Sequence, residues 1–146
     1  MGGRKICLWR WKDGRIMKGN IVRNEERFVM RYNSVLDLHT HTVASGHAYC
    51  SLREMAKAAS EKGLEVLGIT EHAPSMPGTC HKFYFNNLKV VPREMYGIQL
   101  LLGSEVNILD AQGTVDLGQH TLSSMDVVIA SLHTPCKKPA SKLENT

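Results

Sequence analysis

The sequence predicts an α/β fold with parallel strands, and two observations carry that prediction. A strand beginning at Val35, a helix beginning at Leu52 and a strand ending at Thr70 follow one another. Strand, helix and strand in so short a stretch form a βαβ unit, whose two strands pair in parallel. In addition, four apolar strands in succession each stop at a histidine or an acidic residue, as expected where the carboxyl ends of parallel strands share one face.

The helix of this unit has a clear beginning and end. Ser51 and Glu54 have the spacing of a capping box, in which each side chain satisfies a backbone N–H of the other residue. Apolar residues then follow at helical spacing, and Gly63 is placed to end the helix.

The second half of the chain supplies the remaining elements. We expect a third strand over 98–103, a turn at 111–113 within a small hairpin, and a fourth strand over 126–132. Residues 73–92 contain three prolines, His81 and the aromatic residues 83–85. This composition favours a loop over a site.

Length and composition indicate one domain of ordinary globular character. The chain has 146 residues, of which 42% are hydrophobic and 22% are charged. No apolar run has the length of a membrane span or of a signal peptide, so no membrane partner is expected. The four cysteines are widely scattered, which predicts reduced thiols and a cytoplasmic location.

The positive charge is concentrated at the beginning of the chain. Residues 1–35 hold nine Lys or Arg against three acidic residues, within a net charge of +4 for the whole chain. We therefore divide the chain into a basic extension, 1–34, and a domain, 35–146. Apolar residues on both sides of Asp13-Gly14 predict a hairpin in the extension. The basic charge suits nucleic acid, but no nucleic-acid motif accompanies it, so a solvated extension is the favoured interpretation.

The candidate site residues lie at the strand ends. His39 and His41 are two residues apart, so they project from the same side of the first strand. A loop of small residues carries His47 back toward them, and the next three strands end near one candidate each. The predicted metal ligands are His39, His41, His47, His72, Glu105 and His133.

Five imidazoles and one carboxylate suit Zn²⁺, Mn²⁺ or iron, and the residue types do not choose among them. Six ligands exceed one tetrahedral shell, which indicates more than one ion, with Glu105 able to bridge two of them. Two neighbouring ions generate hydroxide near neutral pH and stabilise charge on an attacked phosphorus centre. Phosphoester hydrolysis is therefore the predicted reaction, with amide or C–N hydrolysis as the neighbouring alternative.

Four motifs resemble those of the PHP (polymerase and histidinol phosphatase) domain family, and most closely its YcdX-type phosphatases. The first is Asp-Leu-His-Thr-His-Thr-Val-Ala-Ser-Gly-His-Ala-Tyr at 37–49. The others are Ile-Thr-Glu-His at 69–72, Gly-Ser-Glu-Val-Asn at 103–107 and Ile-Ala-Ser-Leu-His at 129–133. The resemblance extends from residue 35 to the end of the chain.

This resemblance implies a distorted seven-stranded (β/α) barrel with up to three metal ions and phosphatase activity. It assigns one ion to His39, His41 and Glu105, a second to Glu105 and His133, and a third to His47 and His72. The nucleophile would be a metal-bound hydroxide and not a side chain. Where family members usually have Asp-His, this chain has Glu71-His72, which keeps the ligand.

Length is the main departure from the family. A complete barrel takes roughly 250 residues, and the family's remaining ligands follow later strands. We therefore expect this chain to be the N-terminal portion of the domain and to contain about four of its barrel strands. Each of the three metal sites would then lack one ligand. An open barrel exposes a strand edge, which predicts an oligomer or a complementing chain.

Three functions stay open at this point. The leading one is a phosphatase acting on a small phosphorylated substrate, with His81, Arg53 and Arg93 as candidate substrate contacts. A nuclease of the same family, associated with DNA metabolism and using the basic extension, is the first alternative. The second alternative is a truncated metal-binding fragment without catalysis.

Overall fold

A computed structural model of the chain describes residues 8–12, 15–24 and 27–133. The described part contains seven strands and three α-helices. The strands are β1 (Leu8–Lys12), β2 (Arg15–Asn24), β3 (Arg27–Thr40), β4 (Val66–His72), β5 (Glu94–Met95), β6 (Ile98–Asn107) and β7 (Val127–Ser131). The helices are α1 (Leu52–Glu61), α2 (Lys82–Asn87) and α3 (Gln119–Leu122). None of the helices in these ranges is long and apolar enough to cross a membrane.

All seven strands belong to one mixed sheet. Its order is β1-β2-β3-β4-β6-β5, and β7 pairs with the second half of β6. Strands β3, β4, β6 and β7 are parallel to one another and curl into half of a barrel. The predicted α/β class, with about four barrel strands, is therefore confirmed.

The first three strands form an antiparallel ribbon at one side of the sheet. β1 pairs with β2, and Lys12 lies opposite Arg15, although the predicted turn at 13–14 lies outside the described residues. β2 pairs with β3, and β3 continues without a break through the predicted boundary between residues 34 and 35. The division into 1–34 and 35–146 stays a prediction.

Helix α1 begins as the sequence predicts. The Ser51 hydroxyl accepts the Glu54 N–H, and the Glu54 carboxylate accepts the Ser51 N–H at 2.7 Å, so the capping box is complete. Ala56 and Ala59 are buried in the core with strand residues such as Leu67 and Leu100. Small residues at these positions let the helix lie close to the sheet.

The strands extend further than the sequence predicts. β4 includes Glu71 and His72 because its parallel pairing runs to His72 opposite Glu105, and β6 continues to Asn107 because it pairs there with Ser131 of β7. The predicted turn at 111–113 is confirmed by a bond of 2.7 Å from the Leu109 N–H to the Thr114 carbonyl.

The segment 73–92 is not the simple loop that its prolines favour. It contains α2 and a 3₁₀ turn, Leu88–Val90. Phe85 is 1% exposed within the core, whereas Phe83 is 70% exposed. Tyr84, Phe85 and Leu88 follow helical spacing, so they form one apolar face that packs in the core while Phe83 points away from it.

Candidate metal centre

The six candidate ligands meet at the carboxyl ends of the parallel strands. His39 lies on β3 and His41 just beyond it, while His133 follows β7 by two residues. His72 on β4 is the register partner of Glu105 on β6, so their side chains project to the same side of the sheet. His47 reaches the same place from the histidine loop, residues 42–47, which contains a 3₁₀ turn.

Glu105 is the centre of the cluster. Its Oε2 lies 3.2 Å from His39 Nε2, 3.3 Å from His41 Nε2 and 3.0 Å from His72 Nδ1. Its Oε1 lies 3.3 Å from His133 Nε2. Four imidazoles thus surround one carboxylate near the carboxyl end of β6.

Two atoms at this centre lack a hydrogen-bond partner. Among the buried side-chain polar atoms of the described residues, these are Glu105 Oε2 and His72 Nδ1, although they face each other. Buried polar atoms are nearly always satisfied, so such a pair indicates a missing proton or cation. A metal ion fits this donor set, because imidazole nitrogen and carboxylate oxygen are ligands of Zn²⁺, Mn²⁺ and iron.

The protonation states also suit a metal. Burial, together with the neighbouring His72, lowers the pKa of His41 to about 4, and burial lowers the pKa of His72. Burial opposes ionisation of Glu105, but the hydrogen bond of 2.5 Å from Ser131 and the nearby imidazoles lower its pKa overall. These shifts favour the neutral imidazole of His41 and His72 and the ionised carboxylate of Glu105, which are the forms that bind metal.

Within the part of the chain that the structure describes, three overlapping groups have ligand atoms within 4.8 Å of one another. They are His39-His41-Glu105, His72-Glu105-His133 and His41-His47-His72. The first equals the set that the family resemblance assigns to one ion, and the other two contain the remaining assigned pairs plus one further histidine each. The assignment of residues to individual ions stays a prediction.

Glu71 holds the histidine loop in place through hydrogen bonds. This carboxylate is fully buried and accepts hydrogen bonds from the Thr42 N–H and the Ser45 hydroxyl. Ser45 in turn accepts the His72 N–H at 3.0 Å and contacts His41 Nδ1 at 3.2 Å. Sequence reasoning treated Glu71 only as a neighbour of a ligand. The signal that could have found it is a carboxylate that follows the uncharged run 66–70 of a buried strand.

Two more polar residues lie behind the cluster. Asn107 Oδ1 is 2.7 Å from His133 Nδ1, and Asp116 accepts the Asn107 side-chain N–H at 2.6 Å. Asn107 belongs to the third quoted motif and could have been singled out on that ground. Asp116 carries no sequence signal, since the hairpin after β6 brings it back.

The three candidate substrate contacts stay predictions, and the structure shows the surroundings of each. Arg93 forms an ion pair of 2.8 Å with Asp126, which precedes β7 and so lies at the end opposite His133. His81 caps α2 by accepting the Phe83 N–H, and Arg53 is exposed on α1. Neither Arg93 nor His81 has a hydrogen bond to a predicted ligand among the described contacts.

Comparison with known proteins decides the family. The family model described as "PHP domain" matches residues 37–145. The chain belongs to the PHP domain family. The match begins at the first quoted motif and includes all six candidate ligands of this PHP domain.

Curated relatives agree with this assignment. A probable phosphatase of Clostridium novyi (strain NT) is 56% identical over 117 residues, which are 80% of this chain and 47% of the relative. A probable phosphatase of Clostridium botulinum (strain Langeland) is 52% identical over the same shares of both chains. One from Thermoanaerobacter sp. (strain X514) is 49% identical over 75% of this chain and 45% of the relative. The PHP chain thus spans about half the length of these relatives.

Proposed function

We propose that this PHP chain contributes the metal-binding half of a phosphatase that hydrolyses a small phosphate ester. The observation that carries the proposal is that one buried carboxylate, Glu105, is surrounded by imidazole nitrogens at 3.0–3.3 Å. Because its Oε2 and His72 Nδ1 are otherwise unsatisfied, the cluster suits cations better than a purely structural polar network.

The candidate ligands would supply both nitrogen and oxygen atoms to the metal ions. His39, His41, His47, His72 and His133 would supply nitrogen ligands, and Glu105 would supply oxygen to more than one ion. When bound, Zn²⁺, Mn²⁺ or iron would activate water near neutral pH and stabilise charge on a phosphoryl group. Ser131 orients Glu105 through its hydrogen bond, and low imidazole pKa values keep His41 and His72 free of competing protons.

Access to the cluster is from the side of His39 and His47. The His39 side chain is 44% exposed and His47 is exposed, whereas the Glu105 side chain is 5% exposed. A phosphate ester can therefore approach the outer imidazoles while the carboxylate stays shielded from bulk water. This arrangement strengthens electrostatic interactions at the inner ligands.

A complementing chain or a second copy is part of the proposal. The outer edge of β7 pairs with no strand among the described residues, and Val128 on this strand is 43% exposed. Unpaired strand edges invite pairing with another segment. A cytoplasmic location, expected from the cysteines, also stays a proposal.

The first experiment is metal analysis together with hydrolysis of p-nitrophenyl phosphate. The purified full chain is stripped with a chelator, reloaded with Zn²⁺ or Mn²⁺, and measured for bound metal and for turnover. Glu105→Gln should lose bound metal and turnover, because it replaces the shared anion with a neutral amide. Glu54→Gln is the matched control, since Glu54 lies in the exposed capping box and should retain both properties.

Two results would contradict the phosphatase proposal. Bound metal without turnover of the ester, alone or after mixing with the C-terminal half of a relative, would favour the non-catalytic fragment. Metal-dependent cleavage of single-stranded DNA with no turnover of the ester would favour the nuclease.

A further inference from the structure

The clearest unexplained arrangement lies behind His133. Its Nδ1 is 2.7 Å from Asn107 Oδ1, and its Nε2 is 3.3 Å from Glu105 Oε1. A neutral imidazole has one N–H and one bare nitrogen, so the partner of Nδ1 decides which nitrogen faces the cluster.

The orientation of the Asn107 amide is fixed by its other neighbours. Its Nδ2 lies 2.6 Å from Asp116 Oδ2 and 3.3 Å from the Ala73 carbonyl oxygen, and both of these atoms only accept hydrogen bonds. The reverse orientation would place the amide oxygen against two acceptors. Because Asn107 is 0% exposed, no water can compensate for that loss.

Asp116 is itself firmly held. Its Oδ1 accepts the Asn107 backbone N–H at 2.9 Å, and its Oδ2 accepts the Ser75 N–H at 2.8 Å. Burial opposes ionisation, but these donors outweigh it and lower the pKa of Asp116. The carboxylate therefore joins the hairpin after β6 to the segment after β4, and it presents only acceptors to the amide.

The geometry points to Asn107, oriented by Asp116, as a positioning residue that keeps the His133 proton on Nδ1 and the bare Nε2 toward Glu105. Since Asn107 Oδ1 is an acceptor, His133 Nδ1 must donate to it. The inference rests on the proposed function in one respect: His133 has to be a metal ligand for the positioning to matter to catalysis.

Loss of this positioning should weaken metal binding. Without an acceptor at Nδ1, His133 can carry its proton on Nε2, where the proton would occupy the nitrogen that faces the cluster. Replacing the outer hydrogen-bond partner of a ligating histidine typically lowers metal affinity by about 10–100-fold. We expect a fall in that range for Asn107→Leu, which keeps the side-chain volume but offers no acceptor.

The test is nitrogen NMR of the metal-free full chain labelled with ¹⁵N-histidine at pH 8. The His133 signals are assigned as those that disappear in His133→Gln. We expect the wild-type spectrum to place the proton on Nδ1. In Asn107→Leu the proton should move toward Nε2, and the affinity for Zn²⁺, measured against a chromophoric chelator, should fall. If Asn107→Leu does not fold, the wild-type spectrum still decides the matter.

Asp116→Asn and Asp126→Asn form a matched pair. Each replaces a carboxylate that accepts a backbone N–H, which for Asp126 is the Leu102 N–H at 2.9 Å. Only Asp116 contacts Asn107. Both variants should melt at lower temperature, and only Asp116→Asn should change the His133 signals. A wild-type proton on Nε2, or equal His133 signals in the two variants, would overturn the inference. A proton on Nδ1 in a chain that hydrolyses no phosphate ester, alone or after mixing with the C-terminal half of a relative, would refute the proposed function and leave the positioning intact.

Discussion

Glu71 accepts hydrogen bonds from both the backbone N–H and the hydroxyl of Thr42, at 3.1 and 2.5 Å. The Ser45 hydroxyl donates to the same carboxylate. A buried anion is tolerated only where such donors replace water. The histidine loop therefore surrounds a charge on β4, and this contact sets the position of the loop that carries His47.

Glu71→Gln should destabilise the metal-free chain by about 1–3 kcal/mol, because the new amide N–H₂ faces donors that then lose their acceptor. Urea unfolding of the full chain measures the change. Glu61→Gln is the control, since this side chain is exposed and its pairing with Lys57 is long, at 3.9 Å. Equal stability of the two variants would mean that the buried carboxylate does not hold the loop.

Gly46→Ala should both destabilise the chain and weaken metal binding. Gly46 has φ +72°, and a Cβ there would lie 2.3 Å from the Gly78 carbonyl oxygen, so the loop must shift at the residue next to His47. Gly113 has φ +80° with no atom near its missing Cβ, so Gly113→Ala should cost only the left-handed strain of about 1–2 kcal/mol.

Calorimetry and Zn²⁺ competition separate the two glycine variants. We expect Gly113→Ala to bind metal as the wild type does and Gly46→Ala to bind it more weakly. Unchanged affinity in Gly46→Ala would show that the loop does not position His47.

The stability of the metal-free chain should rise with pH between about 4 and 6.5. The pKa of His41 falls from 6.5 when unfolded to about 4 when folded, so the unfolded chain binds more protons in this window. The lowered pKa of His72 acts in the same direction. The slope of the unfolding free energy against pH, from urea unfolding at several pH values, should be shallower for His41→Asn than for the wild type. An unchanged slope in His41→Asn would contradict the burial of this imidazole.

Arg93→Ala should lower stability without affecting the binding of a phosphate ester. Arg93 donates to the Leu88 and Val91 carbonyls at 3.0 and 2.9 Å in addition to its pairing with Asp126. Losing these charged hydrogen bonds should cost about 1–2 kcal/mol, as read from thermal unfolding. Arg53→Ala, on the exposed face of α1, is the control for stability. A raised KM for p-nitrophenyl phosphate in Arg93→Ala would restore this residue as a phosphate contact.

Much of the architecture could be predicted because it follows from local pattern. The capping box of α1 and the apolar strands are encoded within a few residues, and parallel pairing then places the strand ends on one face. The convergence of His72 and Glu105 follows from that geometry alone. The candidate ligands were therefore accessible to sequence reasoning, although their individual metal assignments were not.

The residues behind the cluster depend on contacts between distant segments. Glu71 meets the histidine loop across 29 residues, and Asp116 reaches Asn107 only because a hairpin returns the chain. Periodicity carries no information about such pairings. The ion pair of Arg93 with Asp126 likewise joins segments that are far apart in the sequence.

The hydrogen bonds that hold the histidine loop affect how an ion would bind. Glu71 holds Thr42 and Ser45, and the buried Cys80 thiol donates to the Ala44 carbonyl at 3.2 Å. None of these contacts uses an imidazole nitrogen. The loop is thus preorganised, so an incoming ion does not have to offset the entropy of ordering it. The rate of cation exchange at this centre should then be limited by dehydration of the ion. The fold should persist in the metal-free chain.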